Sequence, residues 1–261
     1  MSVTAKGSQP TIGVMVVSCD HYSDIWIPFF HCFRKFWPSC QYPVYLVTNH
    51  LDPSFTGVQT IQVGTDVSWS DNVIKALATV REDYVLMFID DLLLHGPVDT
   101  ATLRQIISWV HQERPPHVQL VPSEPPDARH NPLVGRVLPG SLYRTSTVMS
   151  LWKKEALLAL LQPGESAWAF ELAGSARSDA LGDFFRSWHE CFPVTNCIIK
   201  GRWLPSSLAT IRQLGVPLDL SRRQVMTRRQ HLGYLGLVLR AKVFRLFPRK
   251  WRRKVRIWLL R

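Results

Sequence analysis

The sequence predicts an α/β fold with a mostly parallel central sheet flanked by helices. Continuous apolar runs at residues 11–19 and 84–89 are typical of strands buried on both faces. Between such runs, residues 24–37 place Ile25, Phe29 and Phe33 on one helical face. Strand-like and helix-like segments therefore alternate through the first half of the chain, which indicates right-handed βαβ units and parallel strands.

The remaining elements are predicted from the same two periodicities. The predicted strands are 11–19, 43–48, 58–63, 84–89, 117–121, 142–149 and 195–200, and the predicted helices are 24–37, one opening at Asp71, 99–112 and 152–161. Residues 115–139 hold seven prolines in 25 residues and are expected to form a long irregular loop. Long loops inside compact domains are often functional.

Positive charge is concentrated at the C-terminal end of the chain. Residues 221–261 contain fourteen Lys and Arg and no acid, whereas the first 220 residues hold 17 basic and 20 acidic residues. We therefore divide the chain into a folded domain over 1–220 and a basic tail over 221–261. From Arg249 onward, Arg and Trp residues segregate to two helical faces, as in amphipathic helices that lie on membranes.

The tail predicts an anionic membrane surface as a partner. A helix packed on the domain with a solvated basic side is the alternative. No nucleic acid is expected, because no nucleic-acid-binding motif accompanies the charge.

Cysteine usage and hydropathy predict the compartment. The chain has five cysteines, an odd number, and none of them form a C-x-x-C pair. This pattern favours neither a disulfide framework nor a common zinc motif. The first residues lack a secretory signal, and no apolar stretch reaches about 18 residues. We expect a cytoplasmic protein, peripheral on the inner leaflet of the cell membrane.

Two adjacent carboxylates follow the apolar run YVLMFI. Asp90 and Asp91 come directly after that strand, where open α/β sheets hold their ligands. Burying two neighbouring carboxylates is costly unless a cation or a hydrogen-bond donor compensates them. A divalent ion bound to phosphate oxygens is one such compensation. A helix cap or a solvated turn is the alternative.

The run EDYVLMFIDDLLLHGPVD resembles the DxD region of GT-A glycosyltransferases. The resemblance extends to SCD after the first strand, to VSWSDNVIKAL and to SLYRTSTVMSLWKKEALLALLQPGESAWAFE, and covers roughly residues 11–215. The arrangement is similar to hexosyltransferase-like enzymes of bacterial capsule and O-antigen assembly. It implies a GT-A (Rossmann-like) fold, to which the C-terminal basic amphipathic tail is appended.

The resemblance also implies roles for individual residues. Asp91 would hold a divalent cation, Mn²⁺ or Mg²⁺, and His189 is a second candidate metal ligand. Ile89 replaces the first acid of the DxD pattern, so this chain lacks one of the carboxylates with which that pattern holds a metal. The implied donor-binding residues are Ser18, Asp20, Asn49, Trp69, Asp71, Asp90 and Arg177. Some of these residues have a structural role as the alternative to donor binding. Asp71, or its neighbour Ser70, can cap a helix, and Asn49 suits a turn.

Sugar transfer with inversion needs a base that takes the proton of the acceptor hydroxyl. Glu171 and Glu165 are the candidates, because the resemblance places the base near a helix start after the acceptor-side strand. Glu171 is favoured, since it follows three apolar or aromatic residues and burial would raise its pKa. A structural carboxylate bonded to backbone or to Arg177 is the alternative.

The sequence thus predicts an inverting transferase that moves a sugar from a nucleotide-sugar donor to a lipid-linked saccharide. The proline-rich loop 122–139 would shape the acceptor side. A nucleotidyltransferase is one rival, although residues 18–24 lack the glycines of a phosphate loop. A non-catalytic membrane-bound scaffold with a degenerate sugar-nucleotide fold is the other, and Ile89 is the feature that favours it.

Overall fold

The computed structural model describes residues 9–121 and 124–244. Its strands and helices, in chain order, are β1 (Ile12–Val17), α1 (Ser23–Phe36), β2 (Val44–Thr48), β3 (Val58–Gln62), α2 (Trp69–Thr79), β4 (Tyr84–Ile89), β5 (Leu92–Leu94), α3 (Thr100–Glu113), β6 (His117–Gln119), β7 (Ala128–Arg129), β8 (Val134–Val137), β9 (Ser150–Lys153), α4 (Lys154–Leu160), α5 (Ala167–Arg177), β10 (Phe184–Ser187), β11 (Val194–Asn196), β12 (Ile198–Ile199), β13 (Arg202–Trp203), α6 (Pro205–Gln213) and α7 (Arg228–Phe244). The predicted amphipathic segment from Arg249 lies outside the described residues.

Nine strands of the described chain form one sheet in the order β3-β2-β1-β4-β9-β6-β10-β8-β7. The first four are parallel neighbours, β9 runs antiparallel to both β4 and β6, and β6 and β10 are again parallel. β8 also runs opposite to its neighbours. The prediction of a mixed α/β fold with a mostly parallel central sheet is confirmed.

The core lies on both faces of this sheet. All six residues of β1 are buried, and alternate residues face opposite sides. Val14 and Val16 pack in the layer that contains α1 and α3, whereas Met15 and Val17 pack in the layer that contains α2, α4 and α5. Coverage on both sides explains why the strand is a continuous apolar run.

Aromatic side chains join α1 to the sheet. Phe29 and Phe33 lie 6.1 and 5.8 Å from Phe88, ring centroid to ring centroid, in edge-to-face geometry. Such pairs contribute about 0.5–1.5 kcal/mol each beyond the burial of their area. α1 is therefore fixed against β4, and the residues that follow β4 have a rigid support.

The start of α2 differs from the prediction. The helix begins at Trp69, and Ser68 is its N-cap, with Oγ accepting the Asp71 N–H at 3.1 Å. Neither Ser70 nor Asp71 caps the helix. Ser68 has the extended backbone that a cap requires, which local sequence did not distinguish from its neighbours.

The predicted strand at 142–149 is wrong. The strand inserted between β4 and β6 is β9, which begins at Ser150. The preceding segment is irregular because the buried Arg144 donates to the carbonyl oxygens of Val137, Ser178 and Gly182. Those bonds hold the segment by a side chain instead of a backbone ladder.

The proline-rich segment is more regular than predicted. Within its described part, β8 and β7 extend one side of the sheet, with β7 as the edge strand. Asn131 makes the turn between them, because its Oδ1 accepts the N–H groups of Leu133 and Val134 at 2.8 Å. Arg186 of β10 donates to the Glu124 carbonyl oxygen at 3.0 Å and fixes the start of the segment.

The predicted last strand, 195–200, divides into two short pieces. β11 pairs antiparallel with β5, and β12 forms a hairpin with β13. Residues 221–226, which the charge pattern assigned to the tail, return to this region. The Trp203 N–H donates to the Gln224 carbonyl oxygen, and the Met226 N–H donates to the Trp203 carbonyl oxygen, both at 3.0 Å.

Candidate functional site

The carboxyl ends of β1 and β4 open into a cavity of about 310 Å³. Val17 lies opposite Ile89 in the parallel pair, so Ser18 and Asp90 meet at the same edge of the sheet. The lining residues are Val17, Ser18, Cys19, Tyr22, Asp66, Trp69, Asn72, Ile89, Asp90, Asp91 and Ala167. Ser18, Trp69, Asp90 and Asp91, all predicted from the sequence, therefore line one cavity, which we call the strand-end cavity.

Asp90 is held by a buried chain of hydrogen bonds. Trp26 donates its indole N–H to Ser18 Oγ at 2.6 Å, and Ser18 in turn donates its hydroxyl to Asp90 Oδ2. Asp90 is only 6% exposed. Burial and the adjacent charge of Asp91 raise the pKa of Asp90 well above its ordinary value. The protonated form of Asp90 is therefore favoured relative to an ordinary aspartate.

Asp91 is the ionisable partner of this pair. Burial raises the pKa of Asp91 to about 6, and the charge of Arg223 partly opposes that rise. Its Oδ1 atom is buried and has no hydrogen-bond partner among the described residues. A buried carboxylate oxygen without a partner is unfavourable, and a ligand that supplies a donor or a cation removes that cost.

Two more polar atoms of the strand-end cavity lack partners. The indole N–H of Trp69 and Oδ1 of Asn72 are buried and unbonded within the described part of the chain. The Asn72 amide nitrogen is used, since it donates to Asp66 Oδ1 at 2.7 Å. Native interiors leave few such atoms unsatisfied, so their convergence on one cavity indicates a binding site for a polar ligand.

The described side chains do not by themselves form a cation site. In the described ranges, no group of three or more His, Cys, Asp and Glu side chains is placed to hold a metal ion. Asp91 lines the cavity, and its Oδ1 is buried and unpaired among the described residues. This donor set suits a cation held jointly with the oxygens of a bound phosphate, as Mg²⁺ commonly is.

Asp20 and Asn49 form a separate network beside the cavity. The Asp20 carboxylate accepts the N–H groups of Asn49 and His50 at 2.9 Å and that of Leu51 at 3.1 Å. Asn49 Oδ1 accepts the Asp20 N–H at 3.0 Å in return. These bonds fix the ends of β1 and β2, and neither side chain is among those that line the strand-end cavity.

Asp71, Glu165 and Arg177 join α2 to α5. Asp71 Oδ2 accepts the Gly164 N–H at 2.9 Å, and the Glu165 N–H donates to Ser70 Oγ at 3.0 Å. Arg177 donates to both carboxylate oxygens of Glu165, at 2.9 and 2.7 Å. The predicted base Glu165 and the predicted donor contact Arg177 are therefore paired with each other, in the bidentate geometry typical of strong ion pairs.

Glu171 lies one helical turn behind the cavity. Ala167 lines the cavity and Glu171 follows it by four residues in α5, so both are on the same face of the helix. Glu171 Oε1 accepts the N–H and the hydroxyl of Thr147, both at 2.9 Å. The half-buried carboxylate is thereby oriented by two donors, although it is not itself a lining residue.

His189 is exposed and lies in a different loop. Its N–H donates to Ser187 Oγ at 2.9 Å, and its Nε2 is 3.4 Å from the Pro132 carbonyl oxygen. These contacts place it beside the proline-rich segment, and it is not a lining residue of the strand-end cavity.

Comparisons with known proteins bear on the fold. No protein-family model matches the sequence, and no curated protein matches it. The UTP-bound UGPase from Acinetobacter baumannii aligns with 88% of this chain and 99% of its own length, at TM-score 0.50 and 11% identity. This chain has the fold of that protein.

Two further solved structures are similar at lower scores. UDP-glucose pyrophosphorylase complexed with UDP-glucose aligns with 71% of this chain and 92% of its own, at TM-score 0.47 and 8% identity. S. aureus TarS 1–349 in complex with UDP-GlcNAc aligns with 67% of this chain, at TM-score 0.46 and 12% identity. The chain spans 58% of that TarS structure.

Sequence reasoning missed Arg223 as a site residue. Arg223 donates to both oxygens of Asp24, at 2.9 and 3.0 Å, and its guanidinium lies 4.4 Å from the centroid of the Tyr22 ring. Both members of the ion pair are buried. Burial opposes the charge of Arg223, but the hydrogen bonds and charge of Asp24 raise its pKa. The pair joins residues 199 positions apart, so no local pattern could indicate it.

Asp66 was also missed, although a local rule includes it. Asp66 follows β3, whose carboxyl end lies at the same edge of the sheet, so the strand-end rule applies to it. Tyr22 lies within SCDHYSD, the segment already singled out after β1. Burial and the charge of Asp91 raise the pKa of Tyr22.

Proposed function

We propose that the protein is a glycosyltransferase that binds a nucleotide-sugar donor in the strand-end cavity. The observation that carries this proposal is that three residues lining this cavity, Trp69, Asn72 and Asp91, each have a buried polar atom without a partner, beside the buried carboxyl of Asp90. A nucleotide sugar offers both donors and acceptors, in its ribose, base and sugar hydroxyl groups. The fold shared with the UTP-bound UGPase supports a nucleotide ligand at this edge of the sheet.

The N-terminus of α5 supports a phosphate in the cavity. Ala167, the first residue of the helix, lines the cavity, and Ser166 caps the helix through a bond from the Ala169 N–H at 3.1 Å. The positive end of a helix dipole favours anions. It offsets the repulsion that an ionised Asp91 would exert on a diphosphate.

A divalent cation, Mn²⁺ or Mg²⁺, is part of the proposal. Asp91 would hold it through Oδ1, with the diphosphate supplying further oxygens. When bound, the cation would stabilise the negative charge that grows on the leaving nucleoside diphosphate. Because Asp91 must be ionised to hold it, cation-dependent binding should strengthen as the pH rises through about 6.

Glu171 remains the proposed base of an inverting reaction. The acceptor hydroxyl attacks the anomeric carbon, the bond to the diphosphate breaks, and Glu171 takes the hydroxyl proton. The two donors from Thr147 orient the carboxylate, and its position one helical turn behind Ala167 suits a sugar that extends from the cavity. Glu165 is the weaker candidate, because Arg177 already occupies both of its carboxylate oxygens.

A lipid-linked saccharide acceptor and an anionic membrane surface complete the proposal. No helix in the described part of the chain has the length and apolar character needed to cross a bilayer. α7 nevertheless exposes Leu232, Leu235, Leu239 and Val243, which recur at helical spacing on one face. No acid occurs from residue 221 onward, so this face would insert at the surface of an anionic inner leaflet in a bacterial polysaccharide pathway.

A panel of nucleoside diphosphates, each with and without Mn²⁺, tests the proposal by the melting temperature. A ligand that binds the native state alone raises that temperature by mass action. Asp91→Ala should abolish the Mn²⁺-dependent part of the rise. Slow release of nucleoside diphosphate from a sugar nucleotide should accompany binding. A protein whose melting temperature is unchanged by every nucleotide would end the proposal.

A nucleotidyltransferase is the second candidate, and the likeness to UGPase favours it. Such an enzyme would release pyrophosphate from a nucleoside triphosphate and a sugar phosphate. Residues 18–24, which follow β1, contain no glycine to form a phosphate loop. Pyrophosphate release with a sugar phosphate, together with no hydrolysis of sugar nucleotides, would decide for this candidate.

A further inference from the structure

A second cavity, of about 480 Å³, lies behind the wall formed by Tyr22 and Arg223. Tyr22 lines the strand-end cavity, and the guanidinium of Arg223, which covers the Tyr22 ring, lines the second one. The two cavities are therefore neighbours that share one aromatic and cationic wall. We call the second one the basic cavity, because Lys200, Arg202, Arg222 and Arg223 all line it.

The charges of the basic cavity are not balanced from within. Asp24 is the one carboxylate among its described lining residues, and Arg223 already uses both of its oxygens. Arg202 donates to the neutral Gln224 at 2.6 Å, and Arg222 donates to Ser23 Oγ at 2.7 Å. Asp219, outside the lining, lies close enough to Arg222 for their charges to interact. The described lining by itself leaves three positive charges without a carboxylate.

Backbone geometry fixes these cations in place. The hairpin between β12 and β13 turns at Lys200 and Gly201, whose φ angles are 50° and 71°. Two central residues with positive φ are the signature of a type I′ turn, which sets the direction of the residues it carries. Residues 221–224 are held opposite by the buried ion pair of Arg223 with Asp24. The cations thus sit on two anchored segments.

We infer that the basic cavity binds a phosphate or diphosphate group. Several Arg and Lys side chains around one hollow match the charge and the multiple acceptor oxygens of such a group, and Arg can bind two oxygens at once. The group could be the diphosphate of the donor, reaching past Tyr22, or a phosphate on a second ligand. The inference goes beyond the proposed function, because it requires neither a donor sugar nor a transfer reaction.

Calorimetric titration of the full chain with inorganic pyrophosphate, alone and with saturating UDP, tests this inference. The variant is the double substitution Lys200→Ala with Arg222→Ala, both of which are exposed. The control is Arg81→Ala with Arg212→Ala, which removes the same charge from exposed positions outside the basic cavity. We expect the variant, and not the control, to bind pyrophosphate at least about tenfold more weakly, which is the loss of one or two charge-assisted contacts.

The UDP arm separates the two sources of the phosphate. If pyrophosphate still binds when UDP is saturating, the basic cavity takes a second ligand. If UDP competes with pyrophosphate and the variant weakens both, the cavity takes the diphosphate of the nucleotide. Equal pyrophosphate affinity in the variant and the control, or no binding by the unaltered protein, would overturn the inference. Failure of UDP to bind at all would bear on the proposed function alone.

Discussion

Replacing Asp91 by asparagine should change how the stability of the ligand-free protein depends on pH. The pKa of Asp91 is about 6 in the folded protein, against 3.8 for an ordinary aspartate. Between these values, the unfolded chain releases its proton while the folded protein keeps it. The unfolded state therefore binds fewer protons, and stability falls as the pH rises through this window.

The size of the effect follows from the pKa difference. A difference of roughly two units corresponds to about 3 kcal/mol, since one unit is worth about 1.4 kcal/mol. About 2 kcal/mol of this should be lost between pH values of about 4.5 and 7.5. The carboxamide in Asp91→Asn cannot ionise. The free energy of unfolding of the variant, minus that of the unaltered protein, should therefore be greater at the higher pH than at the lower pH by that amount.

Urea unfolding followed by tryptophan fluorescence at both pH values measures the difference. Asp90 also has a raised pKa, and burial and the charge of Asp91 are its causes, so Asp91→Asn should lower the pKa of Asp90 and add to the gain at the higher pH. Glu113→Gln, at the exposed end of α3, is the control and should show no such pH-dependent gain. If the stability difference between Asp91→Asn and the unaltered protein were the same at both pH values, the carboxyl could not be buried as described.

Three further predictions concern single residues. Trp69→Phe keeps the ring against Phe170 but removes the unpartnered N–H, so nucleoside-diphosphate affinity should fall about five- to tenfold by calorimetry; unchanged affinity would separate Trp69 from the ligand. Glu171→Gln should leave donor binding intact while the rate of sugar transfer collapses, and normal turnover would remove Glu171 from the mechanism. Arg223→Met should cost about 3–5 kcal/mol in urea unfolding, because Asp24 is left buried without its partner, and a cost below about 1 kcal/mol would contradict that burial.

The strand-end cavity could be predicted in part, because the rule behind it is local. Asp90 and Asp91 follow a fully apolar run, and the end of such a run is where a parallel sheet presents its ligands. Ser18 follows from the same rule applied to β1. The rule gives the edge of the sheet, but not which side chains turn into the cavity and which satisfy one another.

Asp71 and Asp20 differ from Asn72 and Asp66 in whether the side chain lines the cavity. The sequence offered Asp71 and Asp20 as candidate donor contacts, and their oxygens accept backbone N–H groups that hold loops together. Asn72 and Asp66 line the cavity instead. Backbone donors that compete for a carboxylate come from loops far along the chain, so their positions are absent from any local pattern.

The sequence by itself determined the alternation of buried strands and amphipathic helices, and with it the fold class and the edge of the sheet where the candidate site lies. Burial of a strand or helix on one or two faces gives a periodic pattern of apolar residues, and that pattern is local in the sequence. Only the tertiary structure decided that Arg223 covers Tyr22 and that Glu165 pairs with Arg177. It also placed Lys200 opposite Arg222. Such contacts depend on where distant segments meet, and charged side chains carry no periodic signal of their partners.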